Sequence, residues 1–375
     1  MAIKEKNNYK IIKLISIYLI IFLTIFIFIE HFNKRYLAKK YGYHIPISFF
    51  LFKKNSLNQY YNERGPGWRD TAILNTIDPL LGYAHDDSIK KTFENFINGY
   101  FIYEKKFQNS NTLNIAIFGG SSSDSMTSIF NNYNDHDLPY SWPQELSNIL
   151  SKKKISHRIY NGAVIGYSSS TSLLKFIRDY NYLNPDIVIS FNGLNDVENR
   201  HNLPNHKMYN FYQYVLFKNL IANSNSSFLM PNTIKLINLK LNVRKINLTL
   251  GPKNRLKDFE NWDYNTSVIY NIIKNNNKKY YLILQPIMGF GKYEKSKLEK
   301  KLYKKIISRS ENYEKQLLLF FKNAKNICNN REYCLDYTDI FNKESKVYSD
   351  TTHYNYEGTK VLANKVFQDI ILLNK

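Results

Sequence analysis

Three patches of this chain hold residue types that could do chemistry together. They are Phe118-Gly119-Gly120-Ser121, Gly193-Leu194-Asn195-Asp196 and Ser349-Asp350-Thr351-Thr352-His353. A serine hydroxyl is a weak nucleophile until a base takes its proton, and the base needs a third group to orient it. The Asp-x-x-His spacing supplies both from one turn, with the Asp350 carboxylate on one nitrogen of His353 and the Ser121 hydroxyl on the other. A tetrahedral intermediate then needs donors for its oxyanion. The backbone N–H groups of Ser121 and Gly166 and the side-chain amide of Asn195 make three. The chemistry this set points to is acyl transfer through serine. Pattern alone leaves other uses open. Ser121-Ser122-Ser123 would also suit a polar turn at a helix start, which leaves the register of the nucleophile open. Asn195 would suit a helix cap, and Gly166 a turn.

The elements that must bring these residues together are legible as alternating strands and helices. Asn114-Ile115-Ala116-Ile117-Phe118 is a short apolar run ending in glycines, as a buried parallel strand should be. His157 to Asn161 predicts a second strand, Pro185 to Phe191 a third, Tyr280 to Leu284 a fourth and Tyr333 to Tyr337 a last. Ser141-Trp142-Pro143 opens a helix, with a proline in its first turn. Further helices are expected near Thr171–Tyr182, Tyr293–Lys322 and Glu357–Leu373. The alternation predicts a parallel sheet covered on both faces. Ligands of such sheets bind outside the carboxyl ends of the strands, and every candidate residue falls there. Gln285 ends a strand on the same edge and is a candidate substrate contact; His85 and Trp68 are further pocket candidates.

The residues from Ile11 to Ile29 carry one charge, Lys13, near their start. At ~1.5 Å per residue this run nearly matches a hydrocarbon core of ~30 Å. Glu30-His31-Phe32-Asn33-Lys34-Arg35 follows in place of the small residues of a cleavage site, so an uncleaved anchor is expected. Lysines and arginines balance on its two sides and leave orientation a tie. The only cysteines, Cys328 and Cys334, flank a polar stretch. A disulfide closing so short a loop would contribute roughly 2 kcal/mol and form only in an oxidising compartment, which favours an extracytoplasmic domain. Two cysteines with no histidine nearby cannot complete a zinc tetrahedron. The division expected is an anchor over 1–31, an irregular lead-in over 32–110 and a main domain over 111–375. An Asn- and Lys-rich insertion at about 198–262 reads as a cap over the site or as surface decoration.

The formal charge of +21, from 52 Lys+Arg against 31 Asp+Glu, favours anionic surroundings such as phospholipid headgroups or acidic glycans. A composition rich in Lys, Asn, Tyr and Ile throughout gives the same charge without any ligand. No nucleic-acid module accompanies it, which argues against a nucleic-acid partner.

On its motifs the chain resembles the SGNH (GDSL-like) hydrolase superfamily, in a membrane-anchored form. Phe118-Gly119-Gly120-Ser121 looks like the first conserved block and Asn161-Gly162-Ala163-Val164-Ile165-Gly166-Tyr167 like the second. Gly193-Leu194-Asn195-Asp196 resembles the third, and Asp350 to Gly358 the fifth, with its glycine before the last helix. The resemblance covers roughly residues 112–373. It implies a flavodoxin-like three-layer α/β/α fold, catalysis by Ser121, Asp350 and His353, an oxyanion hole of Ser121, Gly166 and Asn195, and no metal or other cofactor. One departure stands out: the family's Gly-Asp-Ser is Gly-Gly-Ser here.

The expected function is an acyl-ester hydrolase working through an acyl-enzyme, on O-acylated cell-envelope glycans or related small esters. Two alternatives stay open. One is an O-acyltransferase with the same site, and the other a non-catalytic envelope polysaccharide-binding or assembly protein.

Overall fold

The computed structural model describes residues 2–41, 75–78, 80–85, 87–91, 93–108, 110–125, 141–201, 233, 236–237, 258–307, 313–342, 344, 346–350 and 352–372. They fall into two compact units, one holding Met1–Asn62 with Phe217–Leu250 and the other Glu63–Leu216 with Gly251–Lys375. Trp68 and nearly all of the insertion lie outside the described residues.

In the first unit α1 (Ala2–Tyr41) is a single helix. Its segment Leu14–Asn33 is long and apolar enough to cross a membrane, and its apolar side chains are exposed. Glu30, at the end of that segment, is buried. Its carboxylate accepts the backbone N–H of Thr233 at 3.1 Å and the hydroxyl at 2.9 Å. A charge removed from water is tolerated when its oxygens are hydrogen-bonded in this way.

The second unit is built on one sheet, joined by a small hairpin of β1 (Asn75–Asp78) and β2 (Gly82–His85). The strands of the main sheet are β3 (Phe96–Ile97), β4 (Tyr100–Lys105), β5 (Leu113–Gly119), β6 (His157–Asn161), β7 (Ile187–Asn192), β8 (Lys279–Leu284) and β9 (Cys334–Asp336). Their order is β3-β4-β6-β5-β7-β8-β9. From β6 to β9 all neighbours are parallel, in the second-first-third-fourth-fifth order of flavodoxin-like sheets. Beyond β6 the sheet differs from the expectation, because β4 and β3 add to it in antiparallel register. The lead-in expected to be irregular thus supplies two strands to this sheet, besides the hairpin of β1 and β2. Their connection is Asn98-Gly99, both at positive φ (51° and 79°), the two-residue turn whose twist matches a hairpin.

Helices cover both faces. They are α2 (Trp142–Lys152), α3 (Ser169–Leu183), α4 (Leu194–His201), α5 (Asp258–Asn275), α6 (Lys297–Ile307), α7 (Tyr313–Cys328) and α8 (Tyr356–Val366). Side chains on a strand alternate between faces, and the core divides accordingly. Ile115, Ile117, Ile187, Ile189 and Ile283 pack with Trp142 and Leu146 of α2 and Leu362 and Val366 of α8. Ala116, Phe118, Val188, Leu282 and Leu284 pack with Phe176 of α3, Trp262 and Ile269 of α5 and Phe321 of α7. Two buried faces explain why these strands read as continuous apolar runs.

The single long helix expected over 293–322 is two helices, α6 and α7, and Tyr293 instead lies in the preceding loop with its hydroxyl on Glu299 at 2.6 Å. Cys328 at the end of α7 is disulfide-bonded to Cys334 at the start of β9.

Candidate active site

β5 ends at Gly119, and the chain turns at once. The N–H groups of Ser123 and Asp124 return to the Gly120 carbonyl at 3.0 and 3.1 Å. This places Ser121 at the tip, beyond the carboxyl edge of the sheet. Neighbouring hydroxyls are committed elsewhere. Ser122 Oγ donates to the Thr352 carbonyl at 3.2 Å, and Ser123 Oγ accepts the Trp142 indole N–H at 2.8 Å. Of the three hydroxyls in the serine run, it is Ser121 Oγ that meets the imidazole.

The loop carrying that imidazole is pinched by a bridge between Tyr348 and Tyr354 and by the Ser349 N–H on the His353 carbonyl at 2.9 Å. Within it Asp350 Oδ1 accepts the N–H groups of Thr352 and His353, each at 2.8 Å. Oδ2 lies 2.6 Å from His353 Nδ1, and Nε2 lies 2.7 Å from Ser121 Oγ. A carboxylate is acceptor-only, so Nδ1 is the protonated nitrogen and Nε2 is left to accept the serine proton. Burial pushes the Asp350 carboxyl up, but the charge of His353 and the hydrogen bonds from His353 and Thr352 outweigh it, holding the group down to about 2. Asn355 caps the following helix, accepting the Gly358 N–H at 3.1 Å. Gly358, expected before the last helix, sits in its first turn, where a Cβ would approach the Val347 carbonyl oxygen to 2.5 Å.

The other two strand ends face the same place. After β6 the chain passes through Gly166, whose φ of 79° is the left-handed region that suits glycine. After β7, Gly193 turns it into α4, and Asn195 Nδ2 donates to the Tyr167 carbonyl at 2.9 Å. An amide nitrogen has two hydrogens, so one contact of this kind leaves a second available. The next residue, Asp196, accepts the Ser169 N–H at 3.1 Å and its hydroxyl at 2.5 Å. Burial pushes the Asp196 carboxyl up to about 7, against the pull of those Ser169 hydrogen bonds. Adjacent residues of α4 thus clamp the segment that follows Gly166.

Gly120, where the family's pattern has aspartate, lies against Asn195. A Cβ on Gly120 would run into Asn195 Nδ2 and come within 3.0 Å of the Tyr167 carbonyl oxygen. A side chain at 120 would require the Asn195 amide to shift from its place against the turn.

Gln285, a candidate substrate contact from its place at the strand end, has a buried side chain. It reaches Ser122 Oγ from Nε2 and the Leu194 N–H through Oε1, both at 3.4 Å. It supports the nucleophile turn and the start of α4 from below; strand position alone could not tell which way it pointed. Asn161 is a further buried group behind the turn. Its amide donates to the Ser123 carbonyl at 2.8 Å and to Ser125 Oγ at 2.9 Å. Its partners lie tens of residues away, so no local spacing announces them.

No protein-family model matches the chain, and no curated protein does. Among solved structures the chain is similar to the acetyl xylan esterase AlAXEase at 13% identity and a TM-score of 0.38, over 68% of this chain and 99% of that one. It is similar to the psychrotrophic esterase EstA from Pseudoalteromonas sp. at 12% and 0.36, over 70% and 98%. A catalytic mutant of an acetylxylan esterase from Geobacillus stearothermophilus gives 12% and 0.42, over 70% and 96%. Likenesses this distant carry no argument about activity, which has to rest on the site itself.

Proposed function

We propose that the chain is a membrane-anchored, serine-dependent acyl-ester hydrolase of the SGNH type. The observation that carries this reading is the relay from Asp350 through His353 to Ser121, with both contacts of the imidazole under 3 Å. In this reading His353 Nε2 takes the Ser121 proton as Oγ attacks the ester carbonyl carbon. Asp350 holds the ring by Nδ1–H and stabilises the imidazolium. The oxyanion meets the N–H groups of Ser121 and Gly166 and the Asn195 amide. The intermediate collapses as His353 gives its proton to the leaving alcohol. Water, deprotonated by the same nitrogen, then releases the acid from the acyl-enzyme and restores Ser121.

Two features support a substrate at the cell envelope, such as an O-acylated glycan. The α1 segment is long enough to span a bilayer, and the Cys328–Cys334 disulfide fits an oxidising compartment. Full-length protein in detergent, given para-nitrophenyl acetate, is expected to release nitrophenol and free acetate in equal amounts, and Ser121→Ala none. Acetate recovered only on an added glycan acceptor would replace hydrolysis by transfer. A folded wild type without Ser121-dependent turnover would remove the reading altogether.

A further inference from the structure

The β1–β2 hairpin lies outside the proposed relay, yet it holds two of the segments that form the site. At its turn Asp78 Oδ1 accepts the N–H groups of Leu80 and Leu81 at 2.9 and 2.8 Å, while Oδ2 accepts Arg178 of α3 at 2.6 Å. Leu81, 1% exposed, packs on Val164 and Tyr167, either side of Gly166. Tyr167 is the residue whose carbonyl receives Asn195. At the end of β2, His85 Nε2 lies 3.0 Å from Asp124 Oδ1, with side chains 2% and 0% exposed. Asp124 closes the turn that carries Ser121, through its N–H on Gly120. Phe96 and Phe101 meet the His85 ring edge to face, at 5.9 and 6.0 Å between centroids.

A buried carboxylate can only accept, so His85 donates from Nε2. Removing the histidine takes a hydrogen-bond donor from a carboxylate that is wholly out of water, so the turn would have to readjust. We infer that the hairpin is a clip across the nucleophile turn and the Gly166 loop, and that His85 is a positioning residue acting through Asp124. The geometry this secures is the distance from Ser121 Oγ to the imidazole on one side and to the Asn195 amide on the other. The consequence for rate rests on the hydrolase reading above; the mechanical claim does not.

The test compares full-length wild type, His85→Ala and His85→Gln, whose amide can still donate to Asp124. Hydrogen exchange is followed in peptides spanning 118–125 and 163–168, with β9 as a distant reference. In His85→Ala the first two are expected to exchange faster while β9 keeps its protection, and kcat for an aryl acetate is expected to fall by about 10- to 100-fold, the scale of misplacing a group by roughly 1 Å, with KM near the wild-type value. His85→Gln is expected to restore both. Unchanged exchange at 118–125 in His85→Ala would overturn the clip, as would a Gln variant no better than the Ala variant; if His85→Ala loses protection everywhere, the Gln comparison decides. Faster local exchange in a protein with no Ser121-dependent turnover would uphold the clip and defeat the hydrolase reading instead.

Discussion

Replacing His353 with alanine is expected to lower kcat for an activated ester by on the order of 10⁴- to 10⁶-fold, the range seen when one member of a serine relay is removed. The argument is local. Among the described residues Ser121 Oγ has one base within reach, 2.7 Å away, and the adjacent hydroxyls of Ser122 and Ser123 face the Thr352 carbonyl and the Trp142 indole. Nothing among these contacts offers a substitute base. Asp350→Asn is expected to cost about 10⁴-fold by presenting the wrong tautomer to serine. Steady-state rates checked against a Ser121→Ala blank measure both. The Asp350 carboxyl also carries a pH signature. Its folded value is depressed from 3.8 to about 2, so the unfolded chain binds this proton first as pH falls. The stabilisation is therefore present above the unfolded value and is lost as pH drops through the folded one. Melting temperatures of wild type and Asp350→Asn should converge as pH falls from about 4 to about 2; a gap that stays constant there would contradict the assignment.

Replacing Asn195 with alanine is expected to lower kcat by about 10²- to 10³-fold, the cost of one lost oxyanion donor. Asn195 does two things, because one amide hydrogen already holds the Tyr167 carbonyl. Asn195→Asp separates them from simple loss of volume: it keeps the shape against Gly120 but offers no N–H to either oxygen. Both variants should therefore lose rate similarly while KM changes little, which is how an interaction made only in the transition state behaves. Near-wild-type kcat in Asn195→Ala, with the protein folded, would take the oxyanion role away from this residue.

Much of this site could be read from sequence because its parts are short and sit at strand ends. Ser121, Asn195, Asp350 and His353 each lie within a few residues of an apolar run or a helix start, so the fold's topology converts sequence position into proximity. What could not be read depends on side-chain direction or on distant partners. Gln285 was placed on the right edge, but whether it faced substrate or the turn below depended on Ser122 and Leu194. His85 pairs with Asp124 across 39 positions, and no spacing rule links them. The antiparallel strands at 96–105 are a different case. Asn98-Gly99 between apolar residues is a strong hairpin signal, masked by the turn formers of the surrounding lead-in. The Gly-Gly-Ser departure could not be weighed in sequence, because the packing of Gly120 against Asn195 brings together residues 75 positions apart.

The central claim is that Ser121 is an activated nucleophile, and a fluorophosphonate probe tests it most directly because it bonds only to a serine whose proton has a base to receive it. Incubating the folded full-length protein with the probe, followed by peptide mass spectrometry, is expected to find one adduct, on Ser121, absent in Ser121→Ala and strongly slowed in His353→Ala. A folded wild type that stays unlabelled, or one whose adduct lies on Ser122, Ser123 or any other residue, would contradict it.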